Sequence, residues 1–310
     1  MKRFKSILYV AESDNHQESA LARAVSLAEN NQAALTVIDI IPTVMNEYPE
    51  DIMSHRMQFL ESMIEPYTRR LEIKVKLETG TVFLEVIREV LRNGHDLVIK
   101  PAENPDFLKR LFGSTDIHLL RKCPCPVWIM KLPEKSNYNC IVAAIGFKPL
   151  EVSEVEESLN REILDLAASL ALADCASLHL VHAWETFAGK YIRSRSDKPQ
   201  EDIAVYVEQE RSLHQRGLDM FTEKLSDRIG KDVYQELSPG LHLPQGDAQK
   251  MIAALAFNLQ ADLVVMGTIA RTGVSGLIIG NTAEAVLDQL DCSVLAVKPP
   301  GFITPVKLDE

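Results

Sequence analysis

The feature that most constrains this chain is an internal repeat: the second half of the 310-residue sequence resembles the first. The segment Asp96–Ile99 recurs as Asp262–Val265 at an offset of 166 residues, and Gly113 recurs as Gly280 at an offset of 167. A nearly constant offset over a unit of about 150 residues indicates an internal duplication. We therefore predict two domains of the same fold, residues 1–134 and residues 135–310.

Within each half, short apolar runs alternate with segments of helical periodicity. Runs such as Leu263–Met266 are typical of strands buried on both faces. Ala283, Val286 and Leu290 are spaced so that they share one face of a helix. Alternating strands and helices predict an α/β fold, a parallel sheet with helices on both faces. In the second half, the third strand is predicted at Val233–Leu237.

Composition limits the partners and the compartment. The formal net charge of −11 disfavours nucleic acid and anionic membranes as partners. No apolar run approaches the roughly 18–20 residues that span a bilayer. Residues 1–10 lack the long apolar core and cleavage site of a signal peptide, and we interpret them as leading into the first strand. Five cysteines without framework spacing favour a reducing cytoplasm.

One close pair of cysteines, in Cys123-Pro124-Cys125, raises the question of a metal site. Zinc sites need further ligands at characteristic spacing, and neither the other cysteines nor the histidines supply them. We predict that the protein holds no metal, and that Cys125 and its counterpart Cys292 pack at the start of buried strands.

A glycine-rich loop follows Leu263–Met266 and carries Gly267, Gly273, Gly276 and Gly280. At the carboxyl end of a parallel strand, the backbone N–H groups of such a loop can bind an anion, especially a phosphate. Loops of this kind also occur as plain tight connections, so the loop chemistry alone leaves both interpretations open.

Taken together, these features resemble the universal stress protein family, specifically its tandem two-domain bacterial type. The resemblance covers nearly the whole chain and is strongest over Asp262–Lys298, with echoes at Gln245–Asp247 and Cys125–Val127. It implies two flavodoxin-like, HUP-type domains, each a five-stranded parallel sheet of order 3-2-1-4-5. It also implies an intramolecular pseudo-dimer through the fifth strands, Val127–Met130 and Val294–Val297.

Nucleotide-binding members of that family carry G-x2-G-x9-G-(S/T) after strand four and an acid after strand one. In the second half the resemblance assigns nucleotide contacts to Gly267, Thr268, Ala270, Arg271, Gly280, Asn281 and Thr282. Ala270 replaces the second glycine, Asn281 replaces Ser or Thr, and Ile145 takes the place of the acid. If the second glycine needs a positive φ, Ala270 costs roughly 1–2 kcal/mol, which a folded loop tolerates.

The first half keeps a complementary part of the motif. Glu12 takes the acid position, and Gly113 and Ser114 keep its end. Pro101 and Asn104 replace the leading glycines, and Pro101 both removes a backbone donor and fixes φ. We therefore expect any nucleotide site in the second half, with a site at Glu12, Gly113 and Ser114 as the weaker expectation.

The resemblance implies a cytoplasmic stress-response protein that acts by binding, with ATP or AMP as the expected ligand of the second domain. Two alternatives stay open: a nucleotide-independent scaffold for protein partners, and a binder of an apolar small molecule. The segment containing Met45, Met53, Met57 and Met63 motivates the second, because methionine-rich surfaces adapt to apolar ligands. A slow ATPase is also conceivable, but no nucleophile, base and orienting group come together in the sequence.

Overall fold

A computed structural model describes residues 3–12, 17–42, 50–103, 114–151, 153–186, 200–268 and 280–308. Over these ranges the strands are β1 (Ser6–Val10), β2 (Ala34–Pro42), β3 (Ile73–Gly80), β4 (Leu97–Pro101), β5 (Val127–Met130), β6 (Cys140–Ala144), β7 (Ser177–Val181), β8 (Gly240–His242), β9 (Leu263–Gly267) and β10 (Ser293–Val297). The helices are α1 (Glu18–Asn31), α2 (Glu50–Ile64), α3 (Val82–Asn93), α4 (Thr115–Lys122), α5 (Glu154–Asp174), α6 (Gln200–Ile229), α7 (Lys231–Leu237), α8 (Ala248–Asn258) and α9 (Asn281–Leu287).

All of these strands belong to one ten-stranded sheet, in the order β3-β2-β1-β4-β5-β10-β9-β6-β7-β8. Within each half the strands are parallel, and the third, second, first, fourth and fifth strands follow one another across the sheet. The predicted α/β class is confirmed. The two five-stranded sheets meet edge to edge through β5 and β10.

The seam between the halves is the antiparallel pair β5–β10, in which Leu295 lies opposite Trp128. These residues occupy equivalent positions in the repeat, and both are fully buried. Strand five would otherwise be an exposed apolar edge with unpaired backbone groups. Pairing it with its own duplicate satisfies those groups inside one chain.

Two apolar layers cover the two faces of the sheet, because successive strand residues point to opposite sides. Ile7 and Tyr9 pack on one face with α1, α2, α5 and α6. Leu8 and Val10 pack on the other face with α3, α4, α8 and α9. Both layers continue across the seam. Among the described helices, none combines the length and the apolar character needed to cross a membrane.

The prediction of a strand at Val233–Leu237 is wrong, because this segment lies in α7. Gly230, with φ of 93°, ends α6, and the chain then forms a further short helix. Tyr234 and Leu237 are three residues apart and pack together against the core beneath. The third strand of this half is the shorter β8, which follows α7.

The repeated Asp-Leu-Val segment has a structural explanation. Asp96 accepts hydrogen bonds from the backbone N–H groups of Lys5 (2.8 Å) and Ser6 (3.1 Å). Asp262 accepts the equivalent bonds from Asn139 (2.6 Å) and Cys140 (3.2 Å). In each half the aspartate before the fourth strand therefore fixes the start of the first strand.

Candidate functional site

A cavity of about 500 Å³ opens at the carboxyl ends of β6 and β9, the first and fourth strands of the second half. In doubly wound folds the crevice at this switch point is where ligands bind. The cavity is formed by strand ends, by α5, and by the starts of α8 and α9. Its lining includes Ala144, Gly146, Glu156, Leu159, Asn160, Ala183, Glu185, Gly246, Asp247, Met266, Gly267, Gly280, Thr282 and Val286.

Glycines keep this space open. Gly146, Gly246, Gly267 and Gly280 all line the cavity. A Cβ added at Gly267 would lie only 2.9 Å from Cδ2 of Leu159, so a larger residue there would have to displace that side chain. Gly280 has φ of −59° and ψ of 135°, a conformation that any residue adopts. What Gly280 provides is therefore space beside the cavity and not an unusual backbone conformation.

Asn160 on α5 holds the end of the first strand of this half. Its Oδ1 accepts a hydrogen bond from the N–H of Gly146 (3.1 Å), and its Nδ2 donates to the carbonyl of Gly146 (2.9 Å). Gln17 makes the same two bonds to Glu12 in the first half, at 3.1 and 2.6 Å. The counterpart of Glu12 is therefore Gly146, and the expected alignment with Ile145 is wrong by one residue.

Three of the seven nucleotide-site residues predicted in the second half line the cavity: Gly267, Gly280 and Thr282. Asn281 is the first residue of α9, next to two of them. Ala270 and Arg271 lie outside the described residues.

Thr268 points away from the cavity. Its side chain is fully buried, donates to the carbonyl of Leu120 (3.2 Å) and accepts from Nζ of Lys298 (2.7 Å). Its backbone carbonyl accepts a hydrogen bond from the N–H of Gly280 (3.1 Å). Thr268 therefore brings the two ends of the glycine-rich segment together and ties them to the first half, and its hydroxyl is already engaged.

The charged side chains that line the cavity, within the described part of the chain, are all acidic: Glu156, Glu185 and Asp247. Glu156 is held by a capping box with Ser153 at the start of α5. Asp247 caps α8 by accepting a hydrogen bond from the N–H of Gln249 (3.0 Å). These carboxylates come from α5, α8 and the segment after β7, whereas Gly267 and Gly280 come from β9 and the start of α9.

The equivalent place in the first half is filled by an ionic cluster around Lys100, at the end of β4. The Lys100 side chain is 0% exposed, and its Nζ lies 2.8 Å from Oδ1 of Asp116. It also pairs with Glu12 and lies 3.9 Å from Glu103. Burial favours the neutral amine, but the Asp116 and Glu12 carboxylates raise the pKa of Lys100 above its usual value. This charged group was not anticipated from the sequence.

The first-half residues predicted to contact nucleotide have other roles here. Glu12 belongs to the Lys100 cluster, where burial raises the pKa of its carboxyl. The Ser114 hydroxyl caps α4 by accepting a hydrogen bond from the N–H of Ile117 (3.3 Å). Gly113 lies outside the described residues.

The described side chains include no group of three or more His, Cys, Asp or Glu arranged to hold a metal ion. All five cysteines are free thiols. Cys125 is buried two residues before β5, and Cys292 is buried immediately before β10.

Comparison with known proteins decides the family. A model of the universal stress protein family matches the chain twice, over residues 3–131 and 156–298. The chain belongs to the universal stress protein family. Membership of this family supports a role in the response to stress.

The curated relatives include proteins of both one and two units. Universal stress protein E of Escherichia coli K12 is 31% identical over 329 residues, covering 100% of this chain and 99% of its own length. Universal stress protein A homolog 1 of Coxiella burnetii is 27% identical over 165 residues, covering 52% of this chain and 96% of its own. A family member of half the length therefore corresponds to about half of this one.

Solved structures show the same tandem architecture. One described as a putative universal stress protein from Pseudomonas aeruginosa UCBPP-PA14 superposes with a TM-score of 0.71 at 26% identity, covering 96% of this chain and 94% of that one. A functionally unknown protein from Pseudomonas aeruginosa PAO1 gives a TM-score of 0.68 at 27% identity with the same coverage.

Proposed function

We propose that this universal stress protein acts in the cytoplasm by binding an adenine nucleotide, ATP or AMP, in the cavity of its second domain, residues 135–310. The observation that carries the proposal is the open cavity of about 500 Å³ at the switch point between β6 and β9. Sites for small molecules and cofactors have this size and concave shape. The duplicated switch point in the first half is filled by Lys100 and its carboxylates, so only one site is proposed.

The charge distribution favours one orientation of the nucleotide. Glu185 and Asp247 would repel phosphate but can accept hydrogen bonds from the N–H groups of a base or the hydroxyls of a ribose. Gly267 and Gly280 leave backbone accessible on the β9 side, where backbone N–H groups can meet phosphate oxygens. The base therefore lies toward α8 and the phosphates toward the glycine-rich segment.

Ligand-induced stabilisation tests this proposal. If the dissociation constant is micromolar, millimolar ATP should raise the free energy of unfolding by about 3–4 kcal/mol through mass action. A thermal shift would detect a change of this size. Gly280→Val should abolish the shift, because a branched side chain would occupy space beside the cavity, whereas the matched variant Gly113→Val should keep it.

The same experiment can reject the proposal. If the wild type shows no shift with ATP or AMP, the cavity is not a nucleotide site, and the protein is a nucleotide-independent scaffold or a binder of another ligand. If Gly113→Val alone removes the shift, the site lies in the first half. Release of inorganic phosphate above background would show that bound ATP is also hydrolysed.

A further inference from the structure

Two thiols face each other at the end of α4, on the side of the first half that borders the second. Cys123 is the C-terminal cap of α4, and Cys125 lies two residues before β5. Their Sγ atoms are 3.6 Å apart. Both side chains are buried, with Cys123 0% exposed and Cys125 8% exposed. Cys125 was predicted to have only a packing role, but its sulfur lies in direct non-bonded contact with that of Cys123.

A buried lysine stands beside the two thiols. Nζ of Lys298, at the end of β10, donates hydrogen bonds to the carbonyl of Leu120 and to Oγ1 of Thr268. Its electrostatic partners in the described part of the chain are Cys123 and Cys125 and not a carboxylate. An ammonium group buried without a carboxylate stabilises a negative charge nearby, and here the groups able to carry that charge are thiols.

The two sulfurs differ in acidity. Burial opposes ionisation of Cys123, but hydrogen bonds from Cys125 and the charge of Lys298 hold the pKa of Cys123 below its usual value. The hydrogen bond to Cys123, together with burial, raises the pKa of Cys125 well above its usual value. Cys123 is therefore the more acidic of the two thiols, and Cys125 is the one that donates a hydrogen bond to it. A nucleophilic thiolate beside a second thiol is the arrangement of a redox-active pair.

We propose that Cys123 and Cys125 form a redox-active dithiol that a hydroperoxide oxidises to an intramolecular disulfide. The proposal rests on the 3.6 Å separation of the two sulfurs and on the buried Lys298, whose Nζ donates to the carbonyl of Leu120, three residues before Cys123. It is independent of nucleotide binding in the second half.

The chemistry balances with the hydroperoxide as the two-electron oxidant. The Cys123 thiolate attacks one peroxide oxygen, the O–O bond breaks, and the leaving oxygen takes a proton to become water or an alcohol. The sulfenic acid formed on Cys123 is then attacked by the Cys125 sulfur. The S–O bond breaks, water leaves with the proton of the Cys125 thiol, and the S–S bond forms. Exogenous dithiol reverses the step by exchange.

The second half provides an internal control. Cys292 occupies the position equivalent to Cys125, but Leu290 stands where Cys123 would be. Burial raises the pKa of Cys292 to about 12, so this thiol stays protonated. The same strand entrance therefore carries a dithiol in one half and a single inert thiol in the other.

Peptide mapping tests the proposal directly on the full-length protein. Hydrogen peroxide is added, the remaining thiols are alkylated, and the protein is digested with trypsin. Cleavage after Lys122 and Lys131 releases one peptide, Cys123–Lys131, that contains both thiols. The expected product is this peptide with two hydrogens lost and no alkyl group, restored to the dialkylated form by prior treatment with dithiothreitol. The Cys292 peptide should remain alkylated.

Two outcomes would overturn the proposal. One is recovery of the Cys123–Lys131 peptide with both thiols alkylated, in a sample in which oxidation of the exposed Cys175 shows that the peroxide was active. The other is a disulfide from Cys125 to a cysteine other than Cys123.

Two lysine variants then test whether the buried ammonium group promotes disulfide formation or whether the two thiols are merely close to each other. Lys298→Met should slow disulfide formation by roughly threefold for each unit by which the pKa of Cys123 rises above the assay pH, because the thiolate fraction falls while the nucleophilicity of the thiolate rises. Lys131→Met, at the equivalent position in the first half, should leave the rate unchanged. Equal rates in wild type and Lys298→Met would contradict the role of the ammonium.

Discussion

The two halves of the sheet differ most at the carboxyl ends of their first and fourth strands. In the first half this edge holds a fully buried lysine, Lys100, between Asp116 and Glu12. In the second half the same edge is an open cavity lined by glycines, apolar residues and the three carboxylates Glu156, Glu185 and Asp247. The surrounding strand order is the same in both, so the difference lies in side chains and not in the backbone framework.

The difference depends on three positions that change together. Lys100, Asp116 and Glu12 correspond to Met266, Ala283 and Gly146. A buried lysine is tolerated only if carboxylates compensate it, and buried carboxylates only if a cation does. The charges of Lys100, Asp116 and Glu12 therefore depend on one another, and the three substitutions are not independent losses of ligand-binding residues. Lys100 is hydrogen-bonded and paired inside the fold. Its side chain therefore takes up the position that is an open cavity in the second half.

The largest predicted effect concerns the seam on which the comparison depends. Leu295→Asp places a carboxylate at a fully buried position opposite Trp128, where Arg23, which lies over the Trp128 ring, is already paired with Asp174. We expect a loss of more than about 4 kcal/mol of unfolding free energy in chemical denaturation. Small-angle scattering should also show a larger radius of gyration. Val205→Asp, on the exposed face of α6, should change neither quantity appreciably; unchanged scattering and stability in Leu295→Asp would contradict the pairing.

The next prediction tests the coupled charges. Lys100→Met gives the first half the residue of the second, but it leaves Asp116 and Glu12 uncompensated, and we expect a loss of about 3–5 kcal/mol. Adding Glu12→Gln and Asp116→Ala removes the stranded charges and should recover most of this loss. Urea denaturation of the single and triple variants measures both effects. A triple variant no more stable than Lys100→Met would show that the charges are not coupled.

A smaller effect is expected where α5 approaches β9. Gly267→Ala places a Cβ 2.9 Å from Cδ2 of Leu159, and overpacking of this kind costs about 1–3 kcal/mol. Because the clash involves the end of a side chain, Leu159→Ala should relieve it. A double-mutant cycle should then give a favourable coupling between the two substitutions. If the stability effects of the two substitutions simply add, the destabilisation by Gly267→Ala does not come from the contact with Leu159.

The last prediction compares the equivalent lysines Lys131 and Lys298. Burial lowers the pKa of Lys298 to about 8 from 10.5, so between these pH values the unfolded chain binds more protons than the folded chain. The wild type should therefore gain stability relative to Lys298→Met as pH rises above about 8, by up to about 1.4 kcal/mol per pH unit. Lys131 pairs at the surface with the exposed Asp291, and Lys131→Met should cost less than about 1 kcal/mol. If the difference in unfolding free energy between the wild type and Lys298→Met does not change with pH, the ammonium group of Lys298 is not buried in the folded protein as described.

Periodicity and duplication were sufficient to predict the order of most elements, because buried strands and amphipathic helices leave local patterns. The strand indicated by Leu263–Met266 is β9, Leu263–Gly267. The segment Val233–Leu237 was mispredicted because its β-branched and aromatic residues favour a strand locally, whereas packing against the core decides for a helix. Tertiary contacts of this kind leave no signal in a short window.

The candidate site was only partly predictable for the same reason. Gly267 and Gly280 stood out because glycines in a loop are visible in sequence. The Lys100 cluster was not visible, because Glu12, Lys100 and Asp116 are far apart along the chain and meet only when β1, β4 and α4 assemble. Thr268 was assigned to the nucleotide by position, but its hydroxyl is engaged by Leu120 and Lys298, which no local pattern records.

The antiparallel seam has a consequence for how the duplicated units depend on each other. Reversing the direction of one unit against the other brings the amino-terminal rim of the first beside the carboxyl-terminal rim of the second. This is why Leu120, at the end of α4, accepts hydrogen bonds from Thr268 and Lys298 of the other unit. The first unit thus holds Thr268, the last described residue before the glycine-rich segment of its duplicate. Substitutions in α4 of the first unit are therefore expected to disturb Thr268 and Lys298 of the second, independently of the first unit's own switch point.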